Sequence, residues 1–174
     1  GLLNGNTEQR TQAALAFADI IDRTAADSLK PFVTQITGPL IRVVSERSVD
    51  IKAAVFYALN KLLEKIPLAV KHFLPQLQRT FARGLADTTS ETLRNRAAKG
   101  LGILITLTPR VDPLVAELVA GSKTDDDGVK NAMMKALLEV VDKAGGSMSE
   151  ASRNAVLALI DDDSSDRTGM KATV

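Results

Sequence analysis

A stripe of apolar side chains runs through residues 50–66. Apolar positions recur there at intervals of three and four residues, which places them on one face of an α-helix. The members of the stripe are Ile51, Ala54, Val55, Ala58, Leu59, Leu62, Leu63 and Ile66. The pattern predicts an amphipathic helix that buries this face.

The same pattern returns at other places in the chain, each time with a basic residue near the start of the predicted helix. We call these residues the basic ladder; they are Arg10, Lys52, Arg94, Lys130 and Arg167. By subtraction of residue numbers, the steps between them are 42, 42, 36 and 37. A period of about 40 residues is typical of two-helix repeats that stack into a solenoid.

A second type of amphipathic segment alternates with the first and carries proline near its start. Proline is tolerated in the first turn of a helix because the N–H that it lacks would have no partner there. The prolines concerned are Pro31, Pro75 and Pro113, whereas Pro39 lies inside the first such segment, where a kink is expected. Two helix types therefore alternate, as in antiparallel helical hairpins.

Polar turns separate the predicted helices. Asn6 or Thr7 can cap the first one, and the Ser/Thr-x-x-Glu pattern at Thr88 and at Ser147 predicts helix starts near residues 89 and 148. The acidic run at residues 161–166 is expected to be another turn, followed by a truncated helix.

These patterns predict an all-α fold, an α-solenoid of about four HEAT-like helical hairpins that forms a fragment of a longer array. Residues 1–24 are expected to be the second helix of a preceding repeat, and 148–174 a partial HEAT repeat. Complete HEAT repeats are expected at 27–66, 68–107 and 111–144.

Composition agrees with helix-on-helix packing, because aromatic residues make up only 3% of the 174 residues while aliphatic residues and alanine abound. The absence of cysteine excludes disulfides and thiolate metal sites. No apolar run is long enough to span a bilayer, so we expect a soluble chain. Charge is uneven: residues 42–110 hold twelve Lys or Arg against five Asp or Glu, and residues 111–174 hold seven against twelve.

No constellation of residues predicts catalysis, a cofactor or a metal. His72 is the single histidine and lacks an identifiable partner for acid–base chemistry. The aspartates at 125–127 lack the spacing of a calcium loop and fit a helix-capping turn better. Gly100 and Gly102 lie inside a predicted helix, where close approach of another helix explains them better than a phosphate loop. We therefore expect a protein that is not an enzyme.

The basic ladder has two interpretations. Each base can contact an anionic partner, or it can bridge to a turn acid of its own or the adjacent repeat, and the second interpretation is favoured. The turn acids are Glu46, Asp87, Asp126 and Asp162. The densest basic cluster contains Arg94, Arg96 and Lys99, with Arg79, Arg83 and Arg110 near it in the sequence. It can be a surface for a partner protein, a solvated face or, less readily without interleaved aromatics, an RNA-binding surface.

Three segments, at residues 73–81, 97–102 and 110–118, resemble the C-terminal HEAT region of the general-control translational activators. They read FLPQLQRTF, AAKGLG and RVDPLVAEL, of which the first and third are the more specific. The resemblance covers nearly all of residues 8–170. These activators are giant ribosome-associated scaffolds that switch on the general-control kinase of translation initiation factor two.

The resemblance implies a scaffold whose C-terminal part binds RWD domains, chiefly that of the kinase, while the full-length protein contacts ribosomes. Arg94 is then the first choice for a partner contact, followed by Arg42, Lys52, Arg96 and Lys99. Two alternatives remain open. One is contact with ribosomal RNA through residues 42–110, and the other is a generic scaffold of the karyopherin or phosphatase-subunit kind.

Overall fold

The computed structural model describes residues 2–45, 48–108 and 110–171, with side chains as far as residue 166. Within these residues the chain forms nine α-helices and no strand. The helices are α1 (Thr7–Arg23), α2 (Ala26–Leu29), α3 (Val33–Val43), α4 (Val49–Lys65), α5 (Leu74–Leu85), α6 (Glu91–Leu104), α7 (Asp112–Ser122), α8 (Asp127–Ala144) and α9 (Glu150–Lys171). Short 3-10 turns at Lys30–Phe32, Lys71–Phe73 and Gly145–Ser147 join some of them.

The helices stack in two layers as an all-α solenoid. One layer consists of α1, α4, α6 and α8, each of which packs on the next, and we call these the second helices. The other layer contains α3, α5, α7 and α9, the first helices, with α3 on α4, α5 on α6 and α7 on α8. The two helix types that alternate in the sequence therefore occupy different layers.

Each second helix begins at a side-chain cap. The side chains of Asn6, Ser48, Ser90 and Asp126 each accept a hydrogen bond from the backbone N–H three residues later. Asn6 is thus the cap of α1, as expected. The first helices α5 and α7 instead have proline in their first turn, where the missing N–H costs no hydrogen bond.

Two predicted helix starts were wrong by about two residues. Ser90, and not Thr88, caps α6, because the Asp87 carboxylate accepts the N–H groups of Thr89 and Ser90 and holds the preceding residues in a turn. Ser147 lies in a 3-10 turn, and the Ser149 hydroxyl accepts the N–H of Ser152 at the start of α9.

The predicted turn at residues 161–166 is absent, because these residues continue helix α9. The hydroxyls of Ser164 and Ser165 donate to the carbonyls of Ile160 and Asp161, so the polar side chains satisfy themselves within the helix. The side chain of Arg167, the last rung of the basic ladder, lies outside the described residues, and so does Glu46.

The core runs between the layers and through the stack. All eight residues of the predicted stripe on α4 are buried, which confirms it. The rings of Phe56 and Phe81 lie 5.3 Å apart at its centre, where α4 meets α5. A Cβ on Gly100 would lie 2.5 Å from the Phe81 ring, so the close helix approach predicted at this glycine is present.

Candidate functional site

The exposed side of α4 and α6 carries a group of aromatic and charged side chains. We call it the second-helix surface, and it comprises Tyr57, Lys61, Glu64, Arg96 and Lys99. Tyr57 is the single tyrosine of the chain and is 39% exposed. Its ring lies between two cations, with Lys61 Nζ 5.5 Å and Arg96 Cζ 5.3 Å from the ring centroid. Such contacts hold a cation and an aromatic ring in fixed relative positions.

Arg96 is held in place from two sides. Its Nη1 donates a 2.6 Å hydrogen bond to the carbonyl oxygen of Ala53 in α4, while its own carbonyl accepts a 2.9 Å bond from Nδ2 of the buried Asn60. The guanidinium therefore joins α6 to α4. One consequence is that only part of its hydrogen-bonding capacity is available to a partner.

Lys99 is more open to a partner than Arg96. Its Nζ lies 2.8 Å from Oε1 of Glu64, and the side chain remains 61% exposed. An exposed pair of this kind contributes only about 0.2–1 kcal/mol. A partner carboxylate can therefore replace Glu64 at little cost.

Arg94 connects consecutive repeats. Its Nη1 donates a 2.9 Å hydrogen bond to the carbonyl oxygen of Asp87, in the turn before α6. Its Nη2 lies so close to Gly128 that a Cβ there would be only 2.6 Å away. The side chain thus lies against the start of α8, and the partner that it finds in the turn is a backbone carbonyl and not the expected carboxylate.

Lys52, Lys130 and Arg10 also contact residues outside their own helices. Lys130 Nζ lies 3.5 Å from Oδ1 of Asp163 in α9, and Lys52 lies close enough to Asp87 to affect its titration. Arg10 donates from Nε to the carbonyl of Leu2. Lys52 thus lies by a turn acid, as the favoured interpretation expects, whereas Arg10 and Arg94 bond to backbone carbonyls and Lys130 pairs with an acid inside helix α9.

The charge of Asp87 is stabilised by its surroundings. Burial raises the pKa of this carboxyl, but the hydroxyl and N–H of Thr89, the N–H of Ser90 and the positive charge of Lys52 outweigh burial and hold the pKa below its ordinary value. Asp112 behaves in the same way: the Ser152 hydroxyl, at 2.6 Å, and the Ser149 N–H lower its pKa. Both carboxylates accept hydrogen bonds from residues near the start of a helix, so their negative charge stabilises the fold.

The five partner-contact residues expected from the sequence do not form one patch. Arg94, Arg96 and Lys99 share α6, and Lys52 lies on the neighbouring second helix. Arg42 is exposed on α3, in the other layer. Lys52 instead lines a cavity of about 320 Å³ together with Phe56, Arg83 and Asp87.

The sequence placed Arg79 and Arg110 near the densest basic cluster, but in the structure they lie together with Lys71 at a separate place. They surround a groove of about 510 Å³ between α5 and α7. In the described part of the chain, none of the three forms a salt bridge or donates a side-chain hydrogen bond. Counting charges along the sequence could not find this group, because it does not distinguish compensated cations from uncompensated ones.

The described residues hold no group of three or more His, Asp or Glu side chains arranged to bind a metal. Among the same residues, no helix is both long and apolar enough to cross a membrane.

The chain is similar in sequence to segments of much longer proteins. It is 56% identical over 165 residues, 94% of its length, to the eIF-2-alpha kinase activator GCN1 of Saccharomyces cerevisiae. It is 42% identical over 162 residues, 92% of its length, to the stalled ribosome sensor GCN1 of Homo sapiens. Protein ILITYHIA of Arabidopsis thaliana matches at 40% over 163 residues, 93% of the chain. The chain spans only 6% of the length of each relative.

Two crystal structures of engineered proteins share the fold, with TM-scores of 0.64 and 0.59. Each covers 90% of this chain, and the matched parts are 64% and 65% of the engineered chains. At 17% and 15% identity, the likeness concerns the fold alone. No protein-family model matches the chain. Along nearly all of its length, this chain is thus similar to one segment of the GCN1 proteins, which are named as kinase activators and stalled-ribosome sensors.

Proposed function

We propose that this chain is the corresponding segment of a GCN1 protein and acts as a non-catalytic scaffold that binds another protein. The observation that carries the proposal is the 56% identity to the yeast kinase activator over 94% of the chain. Stacked helices form a wide, rigid surface, and such surfaces in solenoid proteins serve binding. The activity of the whole protein belongs to a much longer chain.

The partner in this proposal is an RWD domain of the general-control kinase, and the segment belongs to the C-terminal, RWD-binding part of the activator. Docking would support kinase activation in the amino-acid starvation response, in the cytoplasm and in association with ribosomes. The repeat division at 27–66, 68–107 and 111–144, with partial units at 1–24 and 148–174, is part of the same proposal. No cofactor is needed for this role.

The proposed contact residues are Arg94, Arg96, Lys52, Arg42 and Lys99, which contribute in different ways. Lys99 is exposed and can exchange Glu64 for a partner carboxylate. Arg96 is already fixed by Ala53 and by the Tyr57 ring, so little conformational freedom is lost when a partner binds beside it. Arg94 uses Nη1 to donate to the Asp87 carbonyl, so the other N–H groups of its guanidinium are the ones that can contact a partner.

The proposal is tested by measuring the affinity of the isolated kinase RWD domain for the chain and its variants. Arg94→Ala should weaken binding at least tenfold, since arginine is enriched among residues that dominate interface energies. Lys99→Ala should weaken it several-fold. Lys123→Ala, an exposed lysine just beyond α7, is the matched control and should bind like the unmodified chain.

Thermal unfolding of each variant distinguishes a lost contact from a lost fold, because Arg94 also holds α6 to the preceding turn. A folded Arg94→Ala variant with undiminished affinity would remove this residue from the site. Failure of the unmodified chain to bind any RWD domain would remove the partner. Restoration of binding by a charge-swapped pair, one acid on the RWD domain exchanged with Arg94, would locate the interface.

Ribosomal RNA is the second candidate partner, since relatives are named as stalled ribosome sensors and residues 42–110 are basic. Several phosphate contacts would make the affinity fall steeply between low and moderate salt. A ribosomal RNA fragment whose binding shows no such salt dependence would exclude this candidate.

A further inference from the structure

A groove lies on the layer of first helices, where α5 packs against α7. It measures about 510 Å³. Its apolar lining residues, which we call the floor, are Leu74, Pro75 and Pro113, and its basic lining residues, which we call the rim, are Lys71, Arg79 and Arg110. The groove therefore combines an apolar floor with three cations.

The apolar floor follows from the way in which these two helices begin. Pro75 and Pro113 occupy the first turns of α5 and α7, where no backbone N–H partner is required, and both rings are exposed. Leu74 is largely buried beneath them. Because the proline nitrogens carry no hydrogen, this part of the floor offers apolar contact and no backbone donors.

The rim carries an uncompensated positive charge. Within the described residues, the three rim cations make neither salt bridges nor side-chain hydrogen bonds, and Glu117 is the only acid that lines the groove. The cations of the second-helix surface differ, because Arg96 and Lys99 already have partners in α4. The excess charge of the basic middle is thus available at the groove.

We propose that the groove between α5 and α7 binds an acidic linear peptide segment that places an apolar side chain against the proline floor. The cations of the rim attract the carboxylates of the peptide. An apolar side chain between those carboxylates gains free energy by being buried against the floor. An RNA strand fits less well, since none of the described residues that line the groove is aromatic and could stack on a base. The groove lies in the other layer from the second-helix surface, so this inference goes beyond RWD docking.

The probe is a fluorescein-labelled peptide in which every third residue is leucine and the others are glutamate, titrated with the chain at low salt. Its affinity is read from fluorescence anisotropy. Two companion peptides have serine in place of leucine or lysine in place of glutamate. We expect the serine peptide to bind about tenfold more weakly, since a seated leucine contributes the equivalent of one tenfold step or more, and the lysine peptide not to bind.

Arg79→Glu and Arg110→Glu should each weaken binding of the leucine-glutamate peptide about tenfold, because each removes an attraction and adds a repulsion. Lys123→Glu changes the net charge equally but lies outside the groove, so it should leave the affinity unchanged within about twofold. Among the described residues neither rim arginine has a hydrogen-bond or salt-bridge partner to lose, so both variants should unfold at the temperature of the unmodified chain.

Three results would overturn the inference: equal binding of the serine and leucine peptides, an unchanged affinity in both rim variants, or an oligouridylate that binds more tightly than the peptide and is lost in the same variants. The last result would make the groove a phosphate-backbone site. RWD binding that persists in Arg79→Glu and Arg110→Glu would show that the RWD domain does not use the groove. Each proposal can then fail while the other stands.

Discussion

At the scale of single residues, cations of the same type have different roles. Arg94 and Arg96 are joined to backbone carbonyls of other elements, whereas Arg79 and Arg110 make no such bond to any residue that the structure describes. A buried or half-buried carbonyl that loses its donor costs about 1–3 kcal/mol. Substitution of Arg94 or Arg96 therefore affects stability as well as binding, and rim arginines affect binding alone.

Asp87 gives a pH-dependent prediction at this scale. Its pKa is lowered in the folded chain, so its stabilising contribution is present above its unfolded pKa of about 3.9 and is lost as the pH falls through the folded value. Asp87→Asn keeps an acceptor oxygen but loses the charge. The variant should be less stable at neutral pH by up to about 1 kcal/mol, and the difference should vanish in strong acid.

Urea denaturation of the unmodified chain and of Asp87→Asn measures the difference in their unfolding free energies. It is done at neutral pH and at about pH 3, which is below the unfolded pKa of about 3.9. A gap in unfolding free energy that is the same at both values would contradict the prediction. Asp112→Asn should show the same trend with pH, because hydrogen bonds from Ser152 and Ser149 lower the pKa of Asp112.

At the scale of elements, helix starts follow local capping and helix ends depend on tertiary context. Second helices begin at Asn6, Ser48, Ser90 and Asp126, each of which satisfies an N–H of the first turn. Helix α9 continues through residues 161–166, although their composition suggests a turn. Lys130 compensates Asp163 within this part of the helix.

Ser164→Pro tests the continuity of α9. Proline there removes a helical N–H and clashes with the preceding turn, at a cost of about 3 kcal/mol inside a helix. We expect residues 160–166 to lose their helical 13C chemical shifts while α7 and α8 keep theirs.

Ser164→Ala is the matched control, since alanine is the best helix former and should leave the shifts helical. Identical shifts in the proline and alanine variants would instead indicate that residues 161–166 form the turn expected from the sequence.

At the scale of the whole molecule, the stack has no single centre. Each second helix packs on its neighbours, so stability is a sum of units and interfaces between them. The pair Phe56 and Phe81 supports the middle of the stack, and Leu137 supports the end formed by α7 and α8. A destabilising substitution at one end should therefore unfold the helices near it more than the helices at the other end.

Leu137→Ala makes this prediction specific. The side chain is 2% exposed, so its truncation should cost about 2–5 kcal/mol. In hydrogen exchange, amides of α8 should lose protection while those of α1 and α4 keep it.

The neighbouring Leu138, which is 57% exposed, offers the control, because Leu138→Ala should change stability by no more than about 0.5 kcal/mol. Equal loss of protection in α1 and α8 of Leu137→Ala would mean that the chain unfolds as one cooperative unit.

The sequence by itself determined the buried faces of the helices, because the periodicity that creates them is local to each helix. All eight residues of the α4 stripe are buried. The two helix types that alternate in the sequence form the two layers of the structure. The basic ladder was visible for the same reason. Lys52 and Arg94 lie near the starts of α4 and α6 and meet the turn at Asp87, whereas Lys130 pairs with Asp163 inside helix α9.

Only the tertiary structure decided which charges are compensated. Arg96 and Ala53 are 43 residues apart in the sequence, and they come within 2.6 Å because α6 stacks on α4. The groove between α5 and α7 likewise exists only once these helices are packed. Residue spacing describes one helix at a time, whereas pairing of charges and the shape of a surface depend on how neighbouring helices lie against each other.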